Sequence, residues 1–429
     1  MKNIYLILYL TLVFAQNPAE ISLGFKGIYS PKEFDSIKHH HLDIYGSGLY
    51  SFAEFHLPHF SIVNSMFTTT DSLEAVKGGH KKVMGILGYT NQAYLNFRGS
   101  FSKLQIDGLV GRNYLKAGYG KVSSLFLSDA SRPFDQVRLS LQYKDFISQM
   151  VGVQLENIDD NRRYLTVHTL QWHYKDKIKL QLGESILYSG SDRSVEWQFF
   201  NPMVFWTPEI VNTTTGDGNG LLYAAVSWYP KEGWNFWTEL LIDDFQVNHE
   251  SKGDLEPNEI GFLSGVEKTG WPIKSSDLWL EYTRITNRTY QTPNPAETYT
   301  HRGFPIGHYL GNDFDMVQLY YSQENMNGKL QPYISLGYLR DGANGLDTPF
   351  DTPWLDSTVT MGTGYSEPFP TDPITYVTEI ELAADYHFRN DSFINAGIFY
   401  QRRNLQGKTE EDFSFILRLW FSLDKTFNY

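Results

Sequence analysis

Few residues in this chain have the types and spacing for bond-breaking chemistry. Glu239, Asp243 and Asp244 gather at the end of an apolar stretch, Trp234 to Ile242. Paired carboxylates can act as acid and nucleophile on a glycosidic bond. Three carboxylates at a strand end also suit a lumen or rim charge network, and we read them so. His39-His40-His41 could hold a metal, yet adjacent histidines in a polar stretch are more often solvated. The chain has no Gly-x-Ser-x-Gly elbow, no His-Glu-x-x-His pair and no glycine-rich phosphate loop. No enzyme, metal or cofactor site is expected.

Binding chemistry is better represented. Sugar rings offer apolar C–H faces to aromatic rings, and hydroxyls to planar amides, carboxylates and guanidinium groups. The long segments between residues 187 and 376 hold many aromatics among polar neighbours. From them we single out Arg193, Trp197, Trp206, Tyr299, His301, Arg302, Phe304, His308 and Trp354 as candidate sugar contacts. Interfacial girdles and loop packing account for other aromatics of this region. A loop-to-lumen hydrogen-bond network explains His301, Arg302 and His308 nearly as well. Gly303, Pro305, Gly307 and Gly311 suit a tight loop.

The elements that position these residues are alternating strands. Phe413, Phe415, Leu417, Leu419, Phe421 and Leu423 alternate with Ser414, Ile416, Arg418, Trp420 and Ser422. Ile380, Leu382, Ala384, Tyr386 and Phe388 alternate with Glu379, Glu381, Asp385 and His387. Every second residue is apolar, as in a transmembrane β-barrel whose polar face lines a wet lumen. Glu379, Glu381, Asp385 and Arg418 are the expected lumen charge network. Tight links fall near Lys144-Asp145, Lys175-Asp176, Pro230 to Gly233, Asn325 to Lys329 and Asn390-Asp391. Long links lie between them: Leu187 to Gly220, Asp244 to Asn258, Thr286 to Asp313, Asp341 to Tyr376, and a shorter one near Asn404 to Glu411. Such alternation predicts short periplasmic turns and long extracellular loops. About 13 strands fit from Val137 to Leu423, and five more near 42–55, 59–67, 91–98, 101–109 and 112–118. The fold class is all-β: one antiparallel barrel of about 18 strands.

Composition agrees. Lys2 and the apolar run Ile4 to Phe14 read as a secretory leader over residues 1–15, cleaved before Gln16. Residues 16–90 read as an N-terminal periplasmic segment with the first strands, and 91–429 as the main part of the barrel. Asp71 to Lys82 could form a short helix. Aromatics reach 16%, which suits barrel girdles and sugar-binding surfaces. The net charge of −13 argues against nucleic acid as a partner. It also favours a neutral glycan, or local Arg and His contacts, over bulk attraction of an acidic one. Cysteine is absent, so no disulfide frame holds the fold.

The chain also carries a resemblance. Gly111-Arg112-Asn113-Tyr114-Leu115-Lys116-Ala117-Gly118-Tyr119-Gly120 leads to Leu127-Ser128-Asp129 and Pro133-Phe134-Asp135. Arg163-Tyr164-Leu165, His168, Gly183-Glu184-Ser185, Tyr188 and Asn201-Pro202 follow in order. Asn219 and Glu239 to Phe245 come next, and His301 to His308 with Gly311 to Asp315 close the series. Taken in this order, the blocks resemble the Wzi-type capsule-assembly family. That resemblance implies an 18-stranded barrel in the bacterial outer membrane. It implies a surface lectin that helps attach or organise capsular polysaccharide or exopolysaccharide, surrounded by outer-membrane lipid and monomeric. A porin or substrate-specific channel is the alternative. The best-characterised members close the periplasmic end with an N-terminal helical bundle, and Gln16 to Gly88 departs from that pattern.

Overall fold

The computed structural model describes residues 20–29, 47–69, 83–201, 206, 218–246, 250–325, 328–389 and 391–428. The expected leader, the histidine run and the short helix at Asp71 to Lys82 lie outside the described residues. Period-two alternation sets the strands. They are β1 (Glu20–Tyr29), β2 (Ser47–Leu57), β3 (Phe60–Thr69), β4 (Leu87–Phe101), β5 (Leu104–Asn113), β6 (Phe134–Tyr143) and β7 (Phe146–Gln154). β8 (Arg162–Tyr174), β9 (Ile178–Gly190), β10 (Asn219–Trp228), β11 (Trp234–Asp244), β12 (Glu259–Thr269) and β13 (Ser276–Ile285) follow. β14 (Thr300–His301) and β15 (Phe304–Pro305) form a small ribbon. β16 (Phe314–Gln323), β17 (Leu330–Asp341), β18 (Thr375–Arg389), β19 (Ser392–Leu405) and β20 (Lys408–Asn428) complete the series.

Apart from the ribbon, all belong to one 18-stranded antiparallel sheet. Neighbours in sequence pair, β13 pairs with β16, and β20 returns to β1 from Glu20↔Asn428 to Tyr29↔Leu419. The sheet is a closed barrel. Closure pairs the backbone groups that an open edge would leave bare in lipid.

The side-chain pattern is the one alternation requires. On β20, Phe413, Phe415, Leu417 and Leu423 are exposed, while Ser414, Ile416 and Ser422 are buried. On β18, Ile380, Leu382, Tyr386 and Phe388 face outward, and Glu379 and Glu381 are buried within. Asn395 Nδ2 donates to Asp385 at 2.6 Å, Gln401 Nε2 to Glu379 at 2.7 Å, and Arg418 lies 3.7 Å from Glu381.

Several expected boundaries are corrected. β1 lies upstream of the first expected strand. The stretch 112–118 is no strand of its own, because β5 ends at Asn113 and the chain then leaves the wall. These two changes cancel, so the strand total stays at 18. The link near Asn404 to Glu411 is a two-residue turn, Gln406-Gly407. Both residues have positive φ (50° and 80°), which a tight hairpin demands. The first strands expected within residues 16–90 pair in the same sheet as the rest, and β4 runs through residue 90.

Candidate functional site

A carboxylate taken into a barrel interior is costly unless hydrogen bonds surround it. Two wall carboxylates meet that need by drawing in a loop. Glu239 on β11 accepts from the backbone N–H groups of Tyr119 (2.5 Å), Gly120 (2.7 Å) and Leu125 (2.9 Å), and from Ser124 Oγ (3.1 Å). Glu281 on β13 accepts from the Lys121 and Val122 amides at 2.7 and 3.1 Å and from Trp237 Nε1 at 2.7 Å. Residues 114–133 are thereby held inside the lumen. Gly118 is required there. Its φ is +132°, and a Cβ would strike Ser124 and Glu239. Leu125, Phe126 and Leu127 are buried against Leu165, Leu241 and Leu263 of the wall. Phe126 stacks on Tyr223 at 4.8 Å.

Residues 286–313 fold down onto this inner segment. Tyr290 donates its amide to Asp243 and its hydroxyl to the Leu125 carbonyl. The Ser128 amide donates to the Ile306 carbonyl at 2.9 Å. Asp244, the third carboxylate of the strand-end cluster, accepts from the Phe245 amide and Gln246 Nε2. All three carboxylates therefore serve backbone and loop donors.

The ribbon sits on a charged frame. Arg163 is fully buried and donates to the carbonyls of Ala296 (2.5 Å), Thr298 (2.8 Å) and Thr300 (3.0 Å). Its Nη1 also reaches Glu156 at 3.2 Å. Glu156 in turn meets His301 Nδ1 at 2.7 Å and accepts the Arg302 amide at 2.5 Å. Burial alone would raise the Glu156 pKa, but His301 and Arg163 beside it hold it below the usual carboxylate value. The ribbon turns through Arg302 and Gly303, both with positive φ.

Phe199, Phe200 and Trp206 meet the outer wall instead. His168 on β8 and Glu184 on β9 share the outward register of exposed Leu170 and Leu182, and they pair at 3.0 Å. Trp206 covers them. Its ring stacks on His168 at 4.1 Å, and its amide donates to Glu184 at 3.0 Å. Phe199 and Tyr188 complete this small cluster, and Phe200 lies where a side chain at Gly152 would stand. A second clasp joins residues 342–374 to the rest. Arg288 pairs with Asp351 and with Glu367, and its guanidinium lies 5.0 Å from the Trp354 ring.

The candidate contacts thus separate into two groups. Trp206, Tyr299, His301, His308 and Trp354 are buried. Tyr299 stacks on Tyr290 at 5.7 Å, His301 on Phe134 at 4.8 Å, and His308 lies between Tyr309 and Phe314. In this arrangement none of the five presents a face to a glycan. These five side chains pack against the wall and one another rather than project. Arg302 and Phe304 remain half-exposed at the ribbon. The Arg302 guanidinium makes no hydrogen bond or ion pair among the described residues, and burial with Arg112 nearby lowers its pKa. Arg193 is partly buried, bonds Glu196 at 2.6 Å and lies over Tyr188. Trp197 stands in the 3₁₀ turn Trp197–Phe200.

Glu281 and Glu156 were not singled out in the sequence, while Arg163, His168 and Glu184 stood in the family-like blocks without a role assigned to them. His168 and Glu184 leave a further signal, as two polar residues at positions where alternation calls for apolar ones. Among the described residues, no group of three His, Cys, Asp or Glu side chains could hold a metal ion.

A family profile described as the capsule assembly protein Wzi matches residues 52–415. The chain belongs to this family. The solved structure of Wzi from Escherichia coli, an outer-membrane carbohydrate-binding β-barrel involved in group 1 capsule assembly, is similar with a TM-score of 0.62. It is 14% identical, and the match covers 97% of this chain and 86% of that one. Two proteins of Pseudomonas aeruginosa, the outer-membrane protein opdK and OccD3, share the fold at 10% identity. For opdK the TM-score is 0.52, with 95% of this chain and 99% of that chain covered. For OccD3 it is 0.51, with 96% and 91% covered. No curated protein matches the chain. As a closed barrel of the Wzi family, the chain spans the outer membrane with its strands. Among the described residues no helix is long and apolar enough to cross a membrane.

Proposed function

We propose that this Wzi-family barrel is a non-catalytic, monomeric lectin-like protein that helps attach or assemble capsular polysaccharide or exopolysaccharide at the cell surface. The ribbon carries the proposal. A buried arginine and a carboxylate hold its backbone rigidly, so Arg302 and Phe304 are presented together without the entropy cost of ordering a loose loop. The Phe304 ring carries the Arg132 guanidinium at 5.3 Å, which leaves its other face and edge, beside the Arg302 guanidinium, to meet a sugar's C–H face and hydroxyls. Arg193 and Trp197, at the start of the neighbouring loop, are the further contacts we propose. The non-catalytic reading is supported by Glu239, Asp243 and Asp244, whose oxygens are taken by loop donors. The porin alternative is disfavoured by the inner segment that Glu239 and Glu281 hold across the lumen.

The test is the pair of substitutions Arg302→Ala and Phe304→Ala in cells that export polysaccharide. Cell-attached polysaccharide should fall at least severalfold, while heat-modifiable migration of the barrel in detergent stays unchanged. Normal attachment with an assembled double variant would reject the ribbon as the contact site.

A further inference from the structure

The tight-turn end of the barrel carries a charge arrangement that polysaccharide attachment does not use. Trp234 opens β11 on its outward face, in the same register as exposed Leu240. Two ammonium groups converge on its ring: Lys231 Nζ at 5.2 Å and Lys268 Nζ at 5.7 Å from the centroid. The Lys268 position follows from strand pairing, because Lys268 is the direct partner of Trp234 across β11 and β12. Gly233 makes room for it, since a Cβ there would lie 2.6 Å from Lys268 Nζ. One hairpin away, Lys175 Nζ lies 5.2 Å from the Tyr174 ring.

None of these three lysines makes an ion pair among the described residues. The carboxylates near them do not answer the charge. Glu267 is taken by Lys121 at 2.6 Å, and Asp176 and Glu232 form no salt bridge with any of them. Two like charges drawn to one indole repel each other unless an anion joins them. In a chain with a net charge of −13, such a cationic focus is a local construction. Beside it lies an apolar ladder on the lipid side. Trp234 stacks on Phe236 at 5.8 Å, and Phe236 meets Trp228, which is 48% exposed. A cleft of about 530 Å³ opens between the turns at 175–177 and 229–233; Lys177, Lys231 and Trp234 line it together with the carboxylates Asp176, Glu232 and Glu267, so the two ammonium groups at the Trp234 ring, and not this cleft, form the cationic focus.

Aromatic residues at this level of a barrel sit at the lipid headgroups. We propose that Lys231 and Lys268, on the platform of Trp234, bind the phosphate of an anionic phospholipid of the turn-side leaflet, with Trp228 and Phe236 receiving its glycerol and upper acyl carbons. A phosphodiester places one negative charge between the two ammonium groups. A zwitterionic headgroup would add a third cation, and free phosphate would leave the aromatic ladder unused.

The experiment is native mass spectrometry of the full chain in detergent, titrated with phosphatidylglycerol, phosphatidylethanolamine and phosphatidylcholine in competition. Each lysine near an anionic headgroup contributes enough that the parent should retain phosphatidylglycerol about tenfold over phosphatidylcholine. The K231Q/K268Q variant should lose that preference while its heat-modifiable migration and its unfolding temperature in phosphatidylcholine stay as in the parent. Equal retention of the three lipids by the parent would overturn the proposal, and so would an undiminished preference in the variant. Displacement of phosphatidylglycerol by equimolar inorganic phosphate would overturn the lipid as the occupant.

Discussion

Glu156 and Glu256 show how carboxylates on two different loops acquire opposite pH behaviour. Glu156 is held below its ordinary value of 4.5, since His301 and Arg163 outweigh its burial. A depressed carboxylate stabilises the folded form above the ordinary value and loses that contribution as pH falls through its own lower pKa. Glu256 is raised to about 7 by burial and by Asp244. A raised carboxylate binds its proton more tightly in the folded form, so its contribution is fully present below 4.5 and is lost as pH rises through 7. Hydrogen exchange, corrected for intrinsic rates, should therefore show residues 300–305 loosening below pH 4.5. Residues 250–258 should loosen between pH 4.5 and about 7. If protection at the two loops shifts in the same direction with pH, this assignment fails.

At the scale of elements, the outer wall over β8 and β9 is where alternation breaks and a loop repairs it. A His–Glu pair facing hydrocarbon would be costly, and Trp206 removes it from that environment. Large-to-small truncation of a buried aromatic costs about 3–5 kcal/mol. For Trp206→Ala we expect a loss at that level, or above it, because the pair is uncovered as well. Thermal unfolding in detergent should shift down, and limited proteolysis should cut within 191–218. In the H168L/E184L background the same truncation should cost clearly less, since no polar pair is exposed. Equal losses in both backgrounds would show that Trp206 acts only as packing.

The molecule as a whole is a closed barrel with an occupied lumen. Porins of similar strand number conduct because their interiors are open, whereas here Leu125, Phe126 and Leu127 fill part of the interior. Glu239 and Glu281 anchor that filling by six hydrogen bonds to residues 119–125. Each amide left without an acceptor costs about 1–3 kcal/mol when buried. The parent should therefore show little steady conductance in planar bilayers. The E239A/E281A double variant should open to clearly larger, noisier currents, with the barrel still heat-modifiable. A large steady current from the parent would favour the channel alternative over the lectin reading.

The sequence by itself determined the wall. Alternation with period two is a local property, so residues such as Phe413 to Leu423 or Glu379 to Phe388 declare their faces without knowledge of the rest. Turn residues such as Lys144-Asp145 and Asn390-Asp391 likewise mark where strands reverse. The strands from Val137 onward and most tight turns followed from these local signals, while β1, the end of β5 and the turn at Gln406-Gly407 did not, and the ordered family blocks added the function class. The tertiary structure decided what the long connections do. Tyr119 meets Glu239 across 120 residues, and Arg302 meets Glu156 across 146. No local pattern carries such pairings. An aromatic in a polar loop looks the same in sequence whether it stays half-exposed, as Phe304 does, or packs away, as Tyr299 and Trp354 do. Only the closed barrel sets the distances that choose between them, because burial depends on which wall residues a returning loop can reach.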